Sequence, residues 1–90
     1  MFMSKRRQGT YPLKISINKY PAFSDRLKIA MQLRECSIEE LAATSFLTKS
    51  AISGYRSGQR SPNVDTLRIL AKNLDVSADF LIGLKEDIYV

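Results

Sequence analysis

Histidine and tryptophan are absent from this chain, and cysteine occurs once, as Cys36. Without histidine, neither a Ser-His-Asp nor a Cys-His catalytic set is possible. One cysteine permits no intrachain disulfide and no cysteine cluster, so a zinc site lacks its usual ligands. No metal or other cofactor is expected. Glu39 and Glu40 are neighbouring acids, but capping and solvent exposure account for them better than acid/base chemistry. No stretch of eighteen apolar residues occurs, which excludes a membrane-spanning helix. The basic start Lys5-Arg6-Arg7 is followed by no apolar run, which argues against a secretory signal. These absences point to a cytoplasmic globular protein that is not an enzyme.

Ninety residues suffice for one domain with a modest core. The formal charge is +5, and its placement is uneven. Residues 1–21 hold Lys5, Arg6, Arg7, Lys14 and Lys19 and no acid, whereas the remainder holds nine basic and nine acidic residues. The whole excess therefore sits in an N-terminal arm beside a neutral body. Such an arm suits a polyanionic partner, or simply keeps a protein soluble.

The arm is broken by Gly9, Pro12 and Pro21. Within it Leu13, Ile15 and Ile17 alternate with polar residues, so a short strand is expected there. A lone strand needs a partner, for which Ile88-Tyr89-Val90 or a second subunit is available. From Phe23 the period becomes helical: Phe23, Leu27, Ala30 and Met31 form one apolar face of a helix reaching about Arg34. Ser37 and Glu40 make a capping box for a short second helix, with Ile38, Leu41 and Ala42 inward, ending near Thr44. After Ser45-Phe46-Leu47, Thr48 caps a third helix whose inner face is Ala51, Ile52 and Tyr55, and Gly58 stops it. Gln59 to Pro62 is a loop. Asn63 caps a fourth helix with Val64, Leu67, Leu70, Ala71 and Leu74 inward. Ser77 starts a short fifth helix holding Phe80 and Leu81, and Gly83 ends it. The expected architecture is a compact all-α bundle of five helices, divided as arm (1–21), helical domain (22–84) and tail (85–90).

The stretch from Ser37 to Pro62 pairs two short amphipathic helices across a turn of about three residues, and the second has a polar outer face. That is the sequence shape of a helix-turn-helix, in which one helix braces another that can protrude into a groove. The residues also resemble those of the lambda-repressor-like (Xre-type) DNA-binding domains. Arg26-Leu27-Lys28, Leu41-Ala42, Leu47-Thr48-Lys49-Ser50-Ala51-Ile52-Ser53, Gly58 and Pro62 carry the resemblance. It continues through Asp65-Thr66-Leu67, Leu70-Ala71, Leu74-Asp75-Val76-Ser77 and Phe80-Leu81-Ile82-Gly83. It spans residues 23–84, and its sub-patterns are most like those of prophage repressors. The basic arm lies outside it.

The resemblance implies a recognition helix at about 48–57, with Lys49, Ser50, Ser53 and Gly54 on its groove-facing side. Lys49, Ser50 and Ser53 are then candidates for base contacts. Ser37, Thr48, Tyr55, Arg56, Ser57, Gly58, Gln59 and Arg60 are candidates for phosphate contacts, several through backbone amides near the helix ends. In the arm, Lys5, Arg6 and Arg7 are candidates to reach a groove. The implied partners are double-stranded DNA and a second copy of the chain; no membrane and no small-molecule ligand is implied.

Three features depart from the family. The second helix opens with Ile38 where a phosphate-binding glutamine is usual. Phe46 stands in the turn in place of glycine. A buried arginine–glutamate pair is replaced by Met31 and Arg56. Gly54 lowers helix stability by about 1 kcal/mol and offers no side chain for readout. The expected function is a sequence-specific transcriptional regulator, a repressor, binding an inverted repeat as a dimer. Two alternatives are a DNA-binding antitoxin and a protein-interaction module that kept the fold without DNA binding.

Overall fold

The computed structural model describes residues 14–89. It contains five helices: α1 (Phe23–Leu33), α2 (Ile38–Ser45), α3 (Lys49–Ser57), α4 (Val64–Leu74) and α5 (Ala78–Leu81). The principal extents are 33 × 28 × 19 Å. Among the described residues no helix is long and apolar enough to cross a membrane, and no group of three or more His, Cys, Asp or Glu is placed to hold a metal ion. The candidates Lys5, Arg6 and Arg7 lie outside the described residues, as do Leu13 and Val90.

Short-range chemistry sets the helix ends. Ser37 Oγ accepts from the Glu40 amide at 3.1 Å while Glu40 Oε1 accepts from the Ser37 amide at 3.0 Å, a complete capping box. Thr48 Oγ1 takes the Ala51 amide, Asn63 Oδ1 the Thr66 amide and Ser77 Oγ the Phe80 amide. Each satisfies a backbone donor that an α-helix leaves unpaired, for about 1 kcal/mol apiece. Gly58, at φ +83°, closes α3 in the left-handed region.

The core is one cluster. Leu27, Leu41, Ile52, Leu70, Leu74, Phe80 and Leu81 are fully buried, joined by Ile88 from the tail. α3 packs on α1 and α2, and α4 packs on α2 and α5. Val64, expected inward, is instead 79% exposed. The buried side of α4 runs through Leu70, Ala71 and Leu74, and Val64 in the first turn overhangs its edge.

Two arginines complete the interior. Arg26 is fully buried and donates to four backbone carbonyls: Tyr20 at 2.6 Å, Phe80 and Lys85 at 2.8 Å each, and Ile15 at 3.0 Å. Its guanidinium also lies 4.6 Å from the centre of the Phe80 ring. Burial pulls the Arg26 pKa below its ordinary value, and the nearby Glu86 carboxylate opposes that shift. Arg34, which caps α1, donates to the carbonyls of Leu74 and Asp75 at the end of α4, at 2.8 and 2.6 Å. Asn73 closes the end of α2 by donating to Thr44 O and Ser45 Oγ.

The strand expected near residues 13–17 is reduced to one antiparallel bridge, Lys14 to Asp87. The Ile15 amide donates to the Glu86 carbonyl at 2.8 Å, and the Ile17 amide to the Glu86 carboxylate at 3.1 Å. The partner is thus the stretch just before Ile88, because Ile88 itself is used as a core residue. Arg26 holds both sides of this junction through Ile15 and Lys85.

Candidate nucleic-acid interface

α3 has two unlike faces. Ala51, Ile52 and Tyr55 are buried, and the Tyr55 ring meets Phe23 edge-on at 6.4 Å. Lys49, Ser50 and Ser53 are exposed and lie at i, i+1 and i+4, which places them on one side of the helix. Thr48 is exposed beside them, its hydroxyl already accepting the Ala51 amide. The helix thus presents short polar side chains and one long cation from a base anchored in the core. A helix of this kind fits a major groove about 12 Å wide.

The turn before α3 contains a bulky residue in an unfavourable conformation. Phe46 adopts φ 56°, ψ 40°, and is 95% exposed. Its amide closes the end of α2 on Ala42 O, and the following Leu47 amide bonds to the same carbonyl. The turn accordingly keeps the left-handed geometry that glycine would adopt without strain.

Gly54, expected on the groove-facing side, is buried. The chain leaving α3 turns back, and the Arg60 side chain lies over Gly54, with Arg60 Cδ 2.6 Å from where a Cβ would stand. The guanidinium reaches over the Tyr55 ring at 5.7 Å. The glycine therefore makes room for the arginine stem, a reason that helix propensity alone does not reveal.

The loop after α3 is internally bonded. Ser57 Oγ donates to Gly54 O at 3.1 Å and accepts from the Gln59 amide at 3.4 Å. Gly58, Gln59 and Arg60 are exposed. Tyr55, a phosphate-contact candidate from sequence, is a core residue at 6% exposure. Arg56 is half-buried and lines a cavity with Lys28, Met31, Ser37 and Ile38. Its Nε is sealed from solvent without an acceptor. Met31 and Arg56 therefore line the same cavity as Ser37 and Ile38 at the N-terminus of α2. Arg26, Arg34 and Asn73 were not singled out from sequence for these roles, although Arg26 and Arg34 fall on the apolar stripe of α1.

Comparison with known proteins agrees with this architecture. A family model described as helix-turn-helix matches residues 27–81. Two relatives from Bacillus subtilis (strain 168) are similar. The uncharacterized HTH-type transcriptional regulator YobD is 34% identical over 65 residues, covering 72% of this chain and 58% of that protein. The HTH-type transcriptional regulator AnsR is 34% identical over 59 residues, covering 66% of this chain and 51% of that protein. The chain thus spans just over half the length of these curated relatives. The crystal structure of the restriction-modification controller protein C.AhdI from Aeromonas hydrophila superposes with a TM-score of 0.64 at 30% identity, covering 71% of this chain and 97% of that one. On the fold, the capped two-helix unit and a family match over more than half of its residues, the chain belongs to the lambda-repressor-like (Xre-type) helix-turn-helix family.

Proposed function

We propose that this chain binds double-stranded DNA through α3 and acts in the cytoplasm as a transcriptional repressor, as a dimer on an inverted repeat. The observation that carries the reading is the asymmetry of α3: Ala51, Ile52 and Tyr55 fix it to the body, while Lys49, Ser50 and Ser53 stay free. In this reading Lys49 donates to guanine O6 or N7, and the two serines bond base edges or phosphates. The printed names of the relatives, transcriptional regulators and a controller protein, support the same class of activity.

Phosphate contacts come from both ends of the unit. The first turn of α2 opens beside Ser37 with its positive dipole end outward. Arg56, which lines the cavity beside Ser37, adds charge there, where Ile38 cannot. At the other end Arg60 projects from the loop after α3, held over Gly54 and Tyr55. Thr48, Ser57, Gly58 and Gln59 line the rim between them. Lys5, Arg6 and Arg7 add charge from the arm. Repression follows from occupying a promoter, without a ligand.

Phosphate neutralisation releases counterions, so affinity for a cognate site is expected to fall steeply with salt. The test is a salt titration of binding to an inverted repeat chosen by the protein. A steep log–log slope supports the reading. A flat response, or no complex with any DNA at low salt, contradicts it.

A further inference from the structure

We infer that Phe46 is a specificity-determining residue, whose ring covers the 5-methyl group of a thymine in the major groove. This rests on the proposed reading of α3 as the helix that enters the groove, and it adds an apolar contact to the polar ones. Phe46 is 95% exposed, more than any other large apolar side chain among the described residues. Its neighbour Leu47 packs against the core cluster, to which Phe46 does not belong. The ring therefore adds no packing to the fold.

Phe46 is also kept against the preference of its backbone. At φ 56°, ψ 40° a residue with a Cβ is strained and glycine is not. The backbone there is firmly held. The amides of Phe46 and Leu47 both donate to the Ala42 carbonyl. Asn73 of α4 donates to the Thr44 carbonyl at 3.1 Å and to Ser45 Oγ at 2.9 Å. A strained residue on a well-held backbone, with its side chain in solvent, points to a contact outside the fold.

The surroundings indicate what makes that contact. No acidic residue occurs from Ala43 to Ser53. Of the five helices among the described residues, α3 alone has no acid in its first turn. It opens instead with Lys49, a cation at the positive end of the helix dipole. A charge disfavoured there in the isolated chain becomes favourable once a polyanion lies against it. Phe46, Thr48, Lys49 and Ser50 are all exposed and nearly contiguous in sequence, so the ring adjoins the surface assigned to DNA. On the major-groove base edges the apolar group is the thymine 5-methyl, which aromatic side chains contact.

Replacing thymine by deoxyuridine tests this, because it removes the methyl and leaves the hydrogen-bonding edge intact. The probe is the site that the full chain selects from random DNA, with each thymine on either strand of one half-site replaced in turn. The wild type is expected to bind about three- to fivefold more weakly at one such replacement. Phe46→Ala keeps the Cβ, and circular dichroism confirms that it is folded. It is expected to bind the parent site more weakly by at least that factor and to be indifferent to the same replacement, with its salt slope unchanged. Phe46→Leu should retain part of the discrimination. If folded Phe46→Ala distinguishes thymine from deoxyuridine at every position as the wild type does, the ring reads no methyl, although DNA binding through α3 stands. If that discrimination is intact while sedimentation equilibrium shows weakened self-association, the ring meets a second copy instead and the inference is overturned. If the wild type binds no DNA, the proposed function and this inference fall together.

Discussion

The Arg60 side chain lies across Gly54, with its Cδ 2.6 Å from where a Cβ at position 54 would stand, and the Arg60 amide donates to the Gly54 carbonyl at 3.1 Å. A glycine in the middle of α3 is thereby tied to a cation at its far end. The residue that weakens the helix also seats one of the candidate phosphate ligands.

Gly54→Ala should therefore separate helix stability from binding. The methyl gains about 1 kcal/mol of helix propensity, offset in part by displacing the Arg60 stem. The net change in unfolding free energy is expected to stay within about 1 kcal/mol. Binding should weaken for all DNA sequences alike, with the salt slope reduced by about one phosphate contact, as in Arg60→Ala. Paired salt titrations of the two variants check this. An unchanged slope in both would remove Arg60 from the contact set.

Phe46→Gly should stabilise the protein by about 0.5–1 kcal/mol. Relief of a left-handed residue with a Cβ gains about 1–2 kcal/mol, and the freer unfolded chain takes back about 0.4–1. Phe46→Ala keeps the Cβ and should gain little. Thermal unfolding of both variants reads the difference; equal midpoints would show that the turn is not strained.

Arg26→Ala should cost about 3 kcal/mol or more in urea unfolding, because it strips four carbonyls of a shared donor. The folded pKa of Arg26 lies below its unfolded one. The charged form therefore carries a penalty that is constant while both states stay protonated, and that fades only as pH rises past the folded value in strongly alkaline solution. The stability difference between wild type and Arg26→Ala should accordingly be flat from about pH 6 to 9. Hydrogen exchange should also show lost protection at the Ile15 amide, whose partner Glu86 adjoins the Lys85 carbonyl that Arg26 holds. Wild-type stability in this variant would contradict the role assigned to the clasp.

The helix ends were legible because their chemistry is local. Ser37 with Glu40, Thr48, Asn63, Ser77 and Gly58 each act within three or four residues, and each stands where the sequence places it. The trio of Lys49, Ser50 and Ser53, named through the family resemblance, lies exposed on the outer side of α3. What stayed hidden is long-range bonding from side chain to backbone. Arg26 reaches Phe80 across 54 positions and Arg34 reaches Asp75 across 41, and a carbonyl acceptor leaves no mark in residue type. The signal that was present is positional: both arginines occupy the apolar stripe of α1. Val64 and Gly54 misled for a related reason. Periodicity gives a face, but the packing of α4 on α5 and the return of Arg60 over α3 decide what covers it.

Selection of bound sites from random DNA, run in parallel with wild type and Lys49→Ala, tests the central claim most directly. The account predicts that the wild type enriches an inverted repeat with half-site centres about 10–10.5 base pairs apart, or a multiple of that spacing. Lys49→Ala should relax the preference at one position in each half-site, corresponding to about 1–3 kcal/mol. Failure of the wild type to enrich any sequence, or an identical site for both proteins, would contradict the assignment of α3 and its Lys49 as the reading surface.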